Sequence, residues 1–415
     1  MGVRDEYGRL RARLILLLLL LTLQVQAQPA DTAVISRIRE HWRPVARYLS
    51  RPDGSRSPID GNRLTLYSSG RQMFDDLERE IAEARHSIRM EFYRFMPDSL
   101  GREIRDLLIA RAEEGVDVRL LLEMRSNSRK PAFYRRFQDS PVRTGLFARP
   151  GVNMDSYTKI AIRDHRKVTV FDDRILYIGG MNVQERYRSQ WRDTHLRLEG
   201  PAAGEASRIF DDTWQRLCPT DTLPRIHSCP AFPDGSIVQL VEDGPDCPEE
   251  RLRIAMEMAL EYAQERFYLE TPYFMPSNSL LRALKDAARR GVDVRIVFPS
   301  HSDVAIFEAA NRSFYRELLL AGIRVYERHA PFSHSKAFVA DGYLSCLGSA
   351  NTDSYSFHNN YEENIYVYDE GFALRVEEMF FADVAVSDEM HADSLHFDHR
   401  TRYLQGLSRV LKPFL

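Results

Sequence analysis

The sequence predicts an α/β protein built from two homologous sandwich domains, and three observations carry that prediction. Amphipathic helices alternate with β-rich runs in each half, the second half repeats the first, and both repeats close on the same histidine–lysine pattern. The chain has 415 residues, 44% hydrophobic and 28% charged, which suits two domains of ordinary size. Its net charge of −3 argues against a general nucleic-acid binder, which carries a basic excess.

In chain order, residues 1–27 read as a signal peptide: Arg4, Arg9, Arg11 and Arg13 precede the apolar run Leu14 to Leu23, and Val25-Gln26-Ala27 offers a small-residue cleavage site. That run is too short to span a bilayer, which takes about 20 residues. The expectation is export across the inner membrane, to a periplasmic or membrane-associated location. Residues 28–59 are expected to form a helical extension.

The first domain, 60–217, opens with a helix from Met73 to Ala84, then the β-rich run Ile88 to Pro97, then a second helix stopped by Gly115 and the strand that follows it. A Pro-rich linker, 218–235, leads to the second domain, 236–415. There the helix Leu252 to Ala263, the run Phe267 to Pro276 and the stop at Gly291 repeat the same order. Because the chain is expected to be exported, Cys218 and Cys229 are expected to pair across the linker, with Cys346 a buried free thiol.

The densest repeat lies at the end of each half. His165-Arg166-Lys167 with Asp172 is answered by His334-Ser335-Lys336 with Asp341, each a His-x-Lys-x4-Asp pattern. Asn182 is answered by Asn351 and Asp193 by Glu362, every pair 169 residues apart. Chance matches are expected on the order of a hundredth per chain of this composition, so two in one register are not accidental. Lysine is otherwise scarce, with only six in the chain, which makes two of them in this motif informative. His86, His195 and His301 read as structural histidines.

Along a strand the period of two places His165 and Lys167 on one face, and His334 and Lys336 likewise. Asn182 and Asn351 add amide donors, and Asp193 and Glu362 are candidates to fix the tautomer of their histidine through its other nitrogen. Two imidazoles, two ammonium groups and two amides suit a phosphoryl group. Asp172 and Asp341 stand in the catalytic motif, with a second reading as buried acceptors that hold the loop after the strand.

These residues resemble the signature of the phospholipase D superfamily, in both halves. The runs Asp164-His165-Arg166-Lys167, Gly179-Gly180-Met181-Asn182, Trp191-Arg192-Asp193-Thr194-His195, Thr271-Pro272-Tyr273-Phe274 and Gly348-Ser349-Ala350-Asn351 are most similar to the bacterial cardiolipin synthases. The chain departs from that family at Tyr355, where an arginine is usual, and in having the signal segment instead of paired membrane helices. The resemblance implies pseudo-twofold symmetry with one shared active site and metal-free, cofactor-free covalent catalysis, His165 as nucleophile and His334 as general acid. The implied substrate is phosphatidylglycerol and the implied activity phosphatidyl transfer, with an exported phospholipase D or phosphodiesterase, less readily a nuclease, as the alternative. The chain reads as a monomer without a nucleic-acid partner.

Between Arg125 and Lys167 eleven basic residues face three acids, interleaved with Phe133, Tyr134, Phe137 and Phe147. That segment is expected to meet an anionic membrane surface. The stripe Leu404, Leu407, Val410 and Leu411 is a second candidate contact.

Overall fold

The computed structural model describes residues 29–51, 55–127, 131–147, 162–247 and 249–395. Residues 1–27, expected to be a signal peptide, and the C-terminal stripe lie outside the described residues.

The first half contributes β1 (Ile59–Tyr67), β2 (Ser87–Phe92), β3 (Asp117–Glu123), β4 (Arg143–Phe147), β5 (Arg163–Asp164), β6 (Lys167–Phe171), β7 (Ile175–Gly179) and β8 (His195–Glu199). The second contributes β9 (Ser236–Asp243), β10 (Arg266–Glu270), β11 (Asp293–Pro299), β12 (Arg324–Arg328), β13 (Ala337–Ala340), β14 (Leu344–Gly348), β15 (Asn360–Tyr368) and β16 (Ser387–Glu389). They join in the order β16-β12-β11-β10-β13-β14-β15-β9-β1-β8-β7-β6-β2-β3-β4, with β5 paired to β15. Reading outward from the antiparallel β9–β1 pair, each strand meets its repeat on the other side, β15 against β8, β14 against β7, β13 against β6 and β10 against β2. The duplication seen in the sequence is thus a pseudo-twofold axis through β1 and β9.

Each half turns one sheet face to its own outer helices and the other to a common core. On the first half Leu100, Ile104, Leu108 and Ala112 line one stripe of the helix Ser99–Glu113 at the helical spacing, and all four are buried. Truncating Ile104 to alanine would cost about 2–5 kcal/mol. Asp98 caps that helix by accepting from the Gly101 amide at 3.1 Å, and Ser277 caps the repeat helix Asn278–Arg289 through the Leu280 amide at 3.1 Å. Gly115 and Gly291 end the two helices at φ of 95° and 93°. A Cβ would meet nothing within 4 Å at either position, so the left-handed backbone and not crowding demands glycine there. The common core sets Val168, Val170, Leu196 and Leu198 against Val339, Leu347, Ile365 and Val367, with the helices Ala202–Leu217 and Glu370–Val384 packed between.

The extension before β1 is helical at Pro29–Arg37 and Arg43–Leu49. It packs on the second half: Trp42, Val45, Ala46 and Leu49 join the core of Leu252, Ala259 and Phe267, and Gln239 Nε2 donates to the Ala46 carbonyl at 3.1 Å. Contrary to expectation, the four cysteines are unpaired. Cys218 ends the helix Ala202–Leu217, whereas Cys229 lies in the extended linker with its thiol toward the Pro230 carbonyl at 3.6 Å. Cys346 is buried inside β14, as expected of a free thiol, and burial pushes its pKa up to about 12.

Candidate active site

The two histidines stand where strands of opposite halves cross. β5 runs parallel to the start of β15, and the His165 amide donates to the Tyr361 carbonyl at 2.9 Å. At the related position Arg192 bridges to Ser333, and the His334 amide donates to the Arg192 carbonyl at 2.7 Å. The residue after each accepting carbonyl carries the carboxylate. His165 Nδ1 therefore meets both oxygens of Glu362 at 3.0 Å, and His334 Nδ1 meets Asp193 Oδ2 at 2.8 Å. Each carboxylate serves the histidine of the other half. A carboxylate at Nδ1 makes that nitrogen the donor and leaves the Nε2 lone pair open.

Both carboxylates are ionised although buried. Burial pushes Glu362 up, but His165 and Lys167 outweigh it and hold the pKa near 2; Asp193 is likewise lowered against its burial by Lys336 and His334. Burial lowers both imidazoles: His165 falls against the pull of Glu362, and His334, with Lys336 adding to the effect, falls to about 4. Both rings are therefore neutral near pH 7. Burial also drops Lys167 from 10.5 to about 7 and Lys336 to about 8.

Lys167 donates to the His165 carbonyl, and Lys336 Nζ lies 2.9 and 3.2 Å from the ring nitrogens of His334 and 2.5 Å from its carbonyl. Asn182 donates to the Tyr187 hydroxyl at 2.9 Å and accepts from the Arg94 amide at 2.9 Å. Its repeat Asn351 leaves Oδ1 buried without a hydrogen-bond partner among the described residues.

Asp172 and Asp341, expected in the catalytic motif, stand at the opposite ends of β6 and β13 from the histidines. Asp172 accepts from the amides of Arg85, His86 and Ser87 at 2.7–2.9 Å, and Asp341 from those of Gln264, Glu265 and Arg266 at 2.8–3.0 Å. Each holds a loop, as the second reading has it, but that loop precedes β2 or β10 rather than following the strand, and Asp172 is only half-buried. His195 is buried on β8, and burial lowers its pKa to about 3, so it remains neutral.

The aromatic wall around the imidazoles received no role from the sequence. Tyr93 meets His165 edge-on at 4.8 Å, while Tyr187 and Trp191 lie 5.6 Å and Tyr273 6.0 Å from His334. The register held a signal: Tyr187 follows Asn182 by five residues, as Ser356 follows Asn351, and both hydroxyls bond into the asparagine segment.

The basic segment is only partly a surface. Phe133, Phe137 and Phe147 are buried in the protein, and Arg166 is buried in ion pairs with Asp164 at 3.0 Å and Glu91 at 2.7 Å. The aromatic interleaving therefore belongs to the core. Arg125, Arg135, Arg136 and Arg143 remain exposed, whereas residues 128–130 and 148–161 lie outside the described residues.

The family model described as "Cardiolipin synthase, PLD-like domain" matches residues 77–214 and 256–384. Among curated relatives, cardiolipin synthase 2 of Staphylococcus epidermidis is 32% identical over 370 residues, covering 85% of this chain and 75% of that protein. Cardiolipin synthase A of Pseudomonas putida is 33% identical over 374 residues, covering 88% and 78%. The crystal structure of phosphatidylserine synthase from Haemophilus influenzae superimposes with a TM-score of 0.68 over 86% of this chain and 97% of that one, at 15% identity, a likeness of fold.

Proposed function

The chain belongs to the cardiolipin synthase, PLD-like domain family, and from that premise we propose that it is a phosphatidyltransferase that joins two phosphatidylglycerol molecules through a phosphohistidine. The crossed carboxylate–imidazole pairs carry the reading, because in one site assembled from both halves they leave the Nε2 of His165 open and that of His334 shared only with Lys336.

In the first step His165 Nε2 attacks phosphorus while Glu362 holds the Nδ1 proton. The bond from phosphorus to the glycerol oxygen breaks, and His334 gives that oxygen its proton. Burial and Lys336 keep His334 neutral. The arriving phosphodiester anion offsets the lysine charge and raises the proton affinity of the ring. In the second step the hydroxyl oxygen of another phosphatidylglycerol attacks the same phosphorus, its proton passes to His334, and the P–N bond breaks to restore His165. Lys167, Lys336, Asn182 and Asn351 are placed here as donors to the phosphoryl oxygens. Oxygen-for-oxygen exchange leaves one phosphodiester for another, so excess glycerol drives the reaction backwards.

The reading sets the enzyme against an anionic lipid surface, as a peripheral protein. Among the described residues no helix is long and apolar enough to cross a membrane.

The test is to incubate purified protein with phosphatidylglycerol vesicles and chelator, then resolve the lipids. Cardiolipin with glycerol is expected, and acid-quenched enzyme should yield a phosphopeptide containing His165. Phosphatidic acid as the dominant product at every lipid concentration would make the enzyme a hydrolase of the same chemistry. Water at about 55 M loses to a lipid hydroxyl only if the site positions the lipid, which is worth effective molarities of roughly 10⁵ M or more.

A further inference from the structure

We infer that Arg94 binds the phosphodiester of the second lipid, the one whose hydroxyl attacks, and so favours lipid over water as acceptor. The inference rests on the transferase reading. Arginines elsewhere near the centre are committed: Arg166 to Asp164 and Glu91, Arg192 to Asp383 and Glu270, Arg56 to Glu205 and Glu242. Arg94, half-buried just beyond β2, forms no ion pair among the described residues.

Its backbone is fixed on both sides. The amide donates to Asn182 Oδ1 at 2.9 Å and the carbonyl accepts from Val183 at 3.1 Å, so the residue is tied to the asparagine assigned to the phosphoryl group. Its guanidinium lies over Tyr93, 5.4 Å from the ring centroid, and Tyr93 meets His165 at 4.8 Å. The titratable groups that bear on it are Tyr93, Tyr187 and, from the second half, Asp303. Tyr187 belongs to the wall beside His334. The guanidinium thus lies one ring removed from His165 and beside Tyr187 of the His334 side.

That offset matches the acceptor. In phosphatidylglycerol the free hydroxyl oxygen and the phosphorus are separated by three carbons and an ester oxygen, a span on the order of 6 Å from ordinary bond lengths. With the attacking oxygen at the phosphohistidine, the second phosphate therefore falls about a ring's width from His165, the offset at which Tyr93 carries the Arg94 guanidinium. A planar guanidinium with free N–H groups suits a phosphodiester there, because it can donate two parallel hydrogen bonds. Asp303, the carboxylate that bears on Arg94, accepts from the Tyr273 hydroxyl at 2.6 Å and forms no ion pair with the guanidinium. Water and small neutral alcohols carry no such anion and gain nothing from Arg94.

The test compares acceptors within one reaction. Wild type, Arg94→Gln and Arg94→Lys are each given phosphatidylglycerol vesicles containing ethanol, and cardiolipin, phosphatidylethanol and phosphatidic acid are resolved. All three products share the donor half-reaction. For Arg94→Gln the ratio of cardiolipin to phosphatidylethanol should fall about ten- to a hundredfold, the usual worth of a hydrogen bond to a charged group, and Arg94→Lys should restore part of it. An unchanged ratio, whether total turnover holds or collapses, overturns the inference and leaves the transferase reading standing. A wild-type enzyme that makes phosphatidylethanol but no cardiolipin overturns both.

Discussion

His165 and Glu362 lie 197 residues apart in the chain, yet the imidazole Nδ1 stands 3.0 Å from both carboxylate oxygens. His334 and Asp193 repeat the relationship across the pseudo-twofold axis at 2.8 Å. Neither half therefore contains a complete imidazole–carboxylate pair of its own.

Removing the orienting charge should cost turnover while sparing the fold. Glu362→Gln keeps the shape of the side chain, but its amide nitrogen can donate to Nδ1 and favour the wrong tautomer. By analogy with an orienting aspartate beside a catalytic histidine, kcat should fall by about 10²–10⁴. Asp193→Asn should do the same to His334. Steady-state kinetics on each variant would check this, and a loss below tenfold would show that the carboxylates do not set the tautomer.

The site should tolerate acid and fail in alkali. His165, the proposed nucleophile, is lowered from 6.5 by burial despite Glu362, so it stays unprotonated to pH values below 6.5. Glu362, near 2, remains charged throughout that range. Lys167 and Lys336 lose their protons as pH rises through about 7 and 8, far below the usual 10.5, and with them the charge that attracts phosphate. The kcat/KM profile of the free enzyme on a soluble short-chain phosphatidylglycerol, already falling as His334 loses its proton above about 4, should then steepen in alkali near 7–8. An alkaline limb near 10 would exclude the lysines as its source.

Asp172 and Asp341 should matter for stability more than chemistry. Each accepts from three consecutive amides and adopts a left-handed backbone, φ 52° and 48°. Alanine at either position leaves those amides to find water, which two of the three at Asp172 can partly reach. The expected cost is about 1–3 kcal/mol in urea unfolding with kcat within a few-fold of wild type. Loss of activity without loss of stability would return these aspartates to the catalytic set.

The duplication and the residues gathered at the candidate site were legible because they are local: His165, Lys167 and Asn182 recur as His334, Lys336 and Asn351 in one register. The glycine stops at Gly115 and Gly291 were legible for the same reason. The crossing of Asp193 and Glu362 was not, since it follows from β1 and β9 meeting at the centre and bringing β8 and β15 to either side. Nor was the fate of Phe133 and Phe137. Their spacing fits a buried helix face as well as a membrane-facing loop, and packing decided between them. Arg94 carried no signal, because its freedom from ion pairs is a property of the folded surroundings.

The two halves solve one packing problem in different ways, and this gives the last prediction. A Cβ on Gly180 would lie within 3.0 Å of the carboxyl atoms of Asp193, so only glycine lets that carboxylate pass on its way to His334. At the repeat position Ser349 is accommodated, and its hydroxyl accepts from the Glu363 amide at 3.0 Å while the longer Glu362 side chain reaches His165. Gly180→Ser alone should displace Asp193 and lower kcat at least tenfold, with KM little changed. Asp193→Glu alone should also be slow, because the extra methylene overshoots a ring already 2.8 Å from the shorter acid. Combining them copies the second half's arrangement into the first, and kcat should recover above either single variant. Neighbours that share one space give such coupling, on the order of 0.5–3 kcal/mol in a double-mutant cycle. Strictly additive losses would mean that Gly180 is required for some reason other than the room it leaves for Asp193.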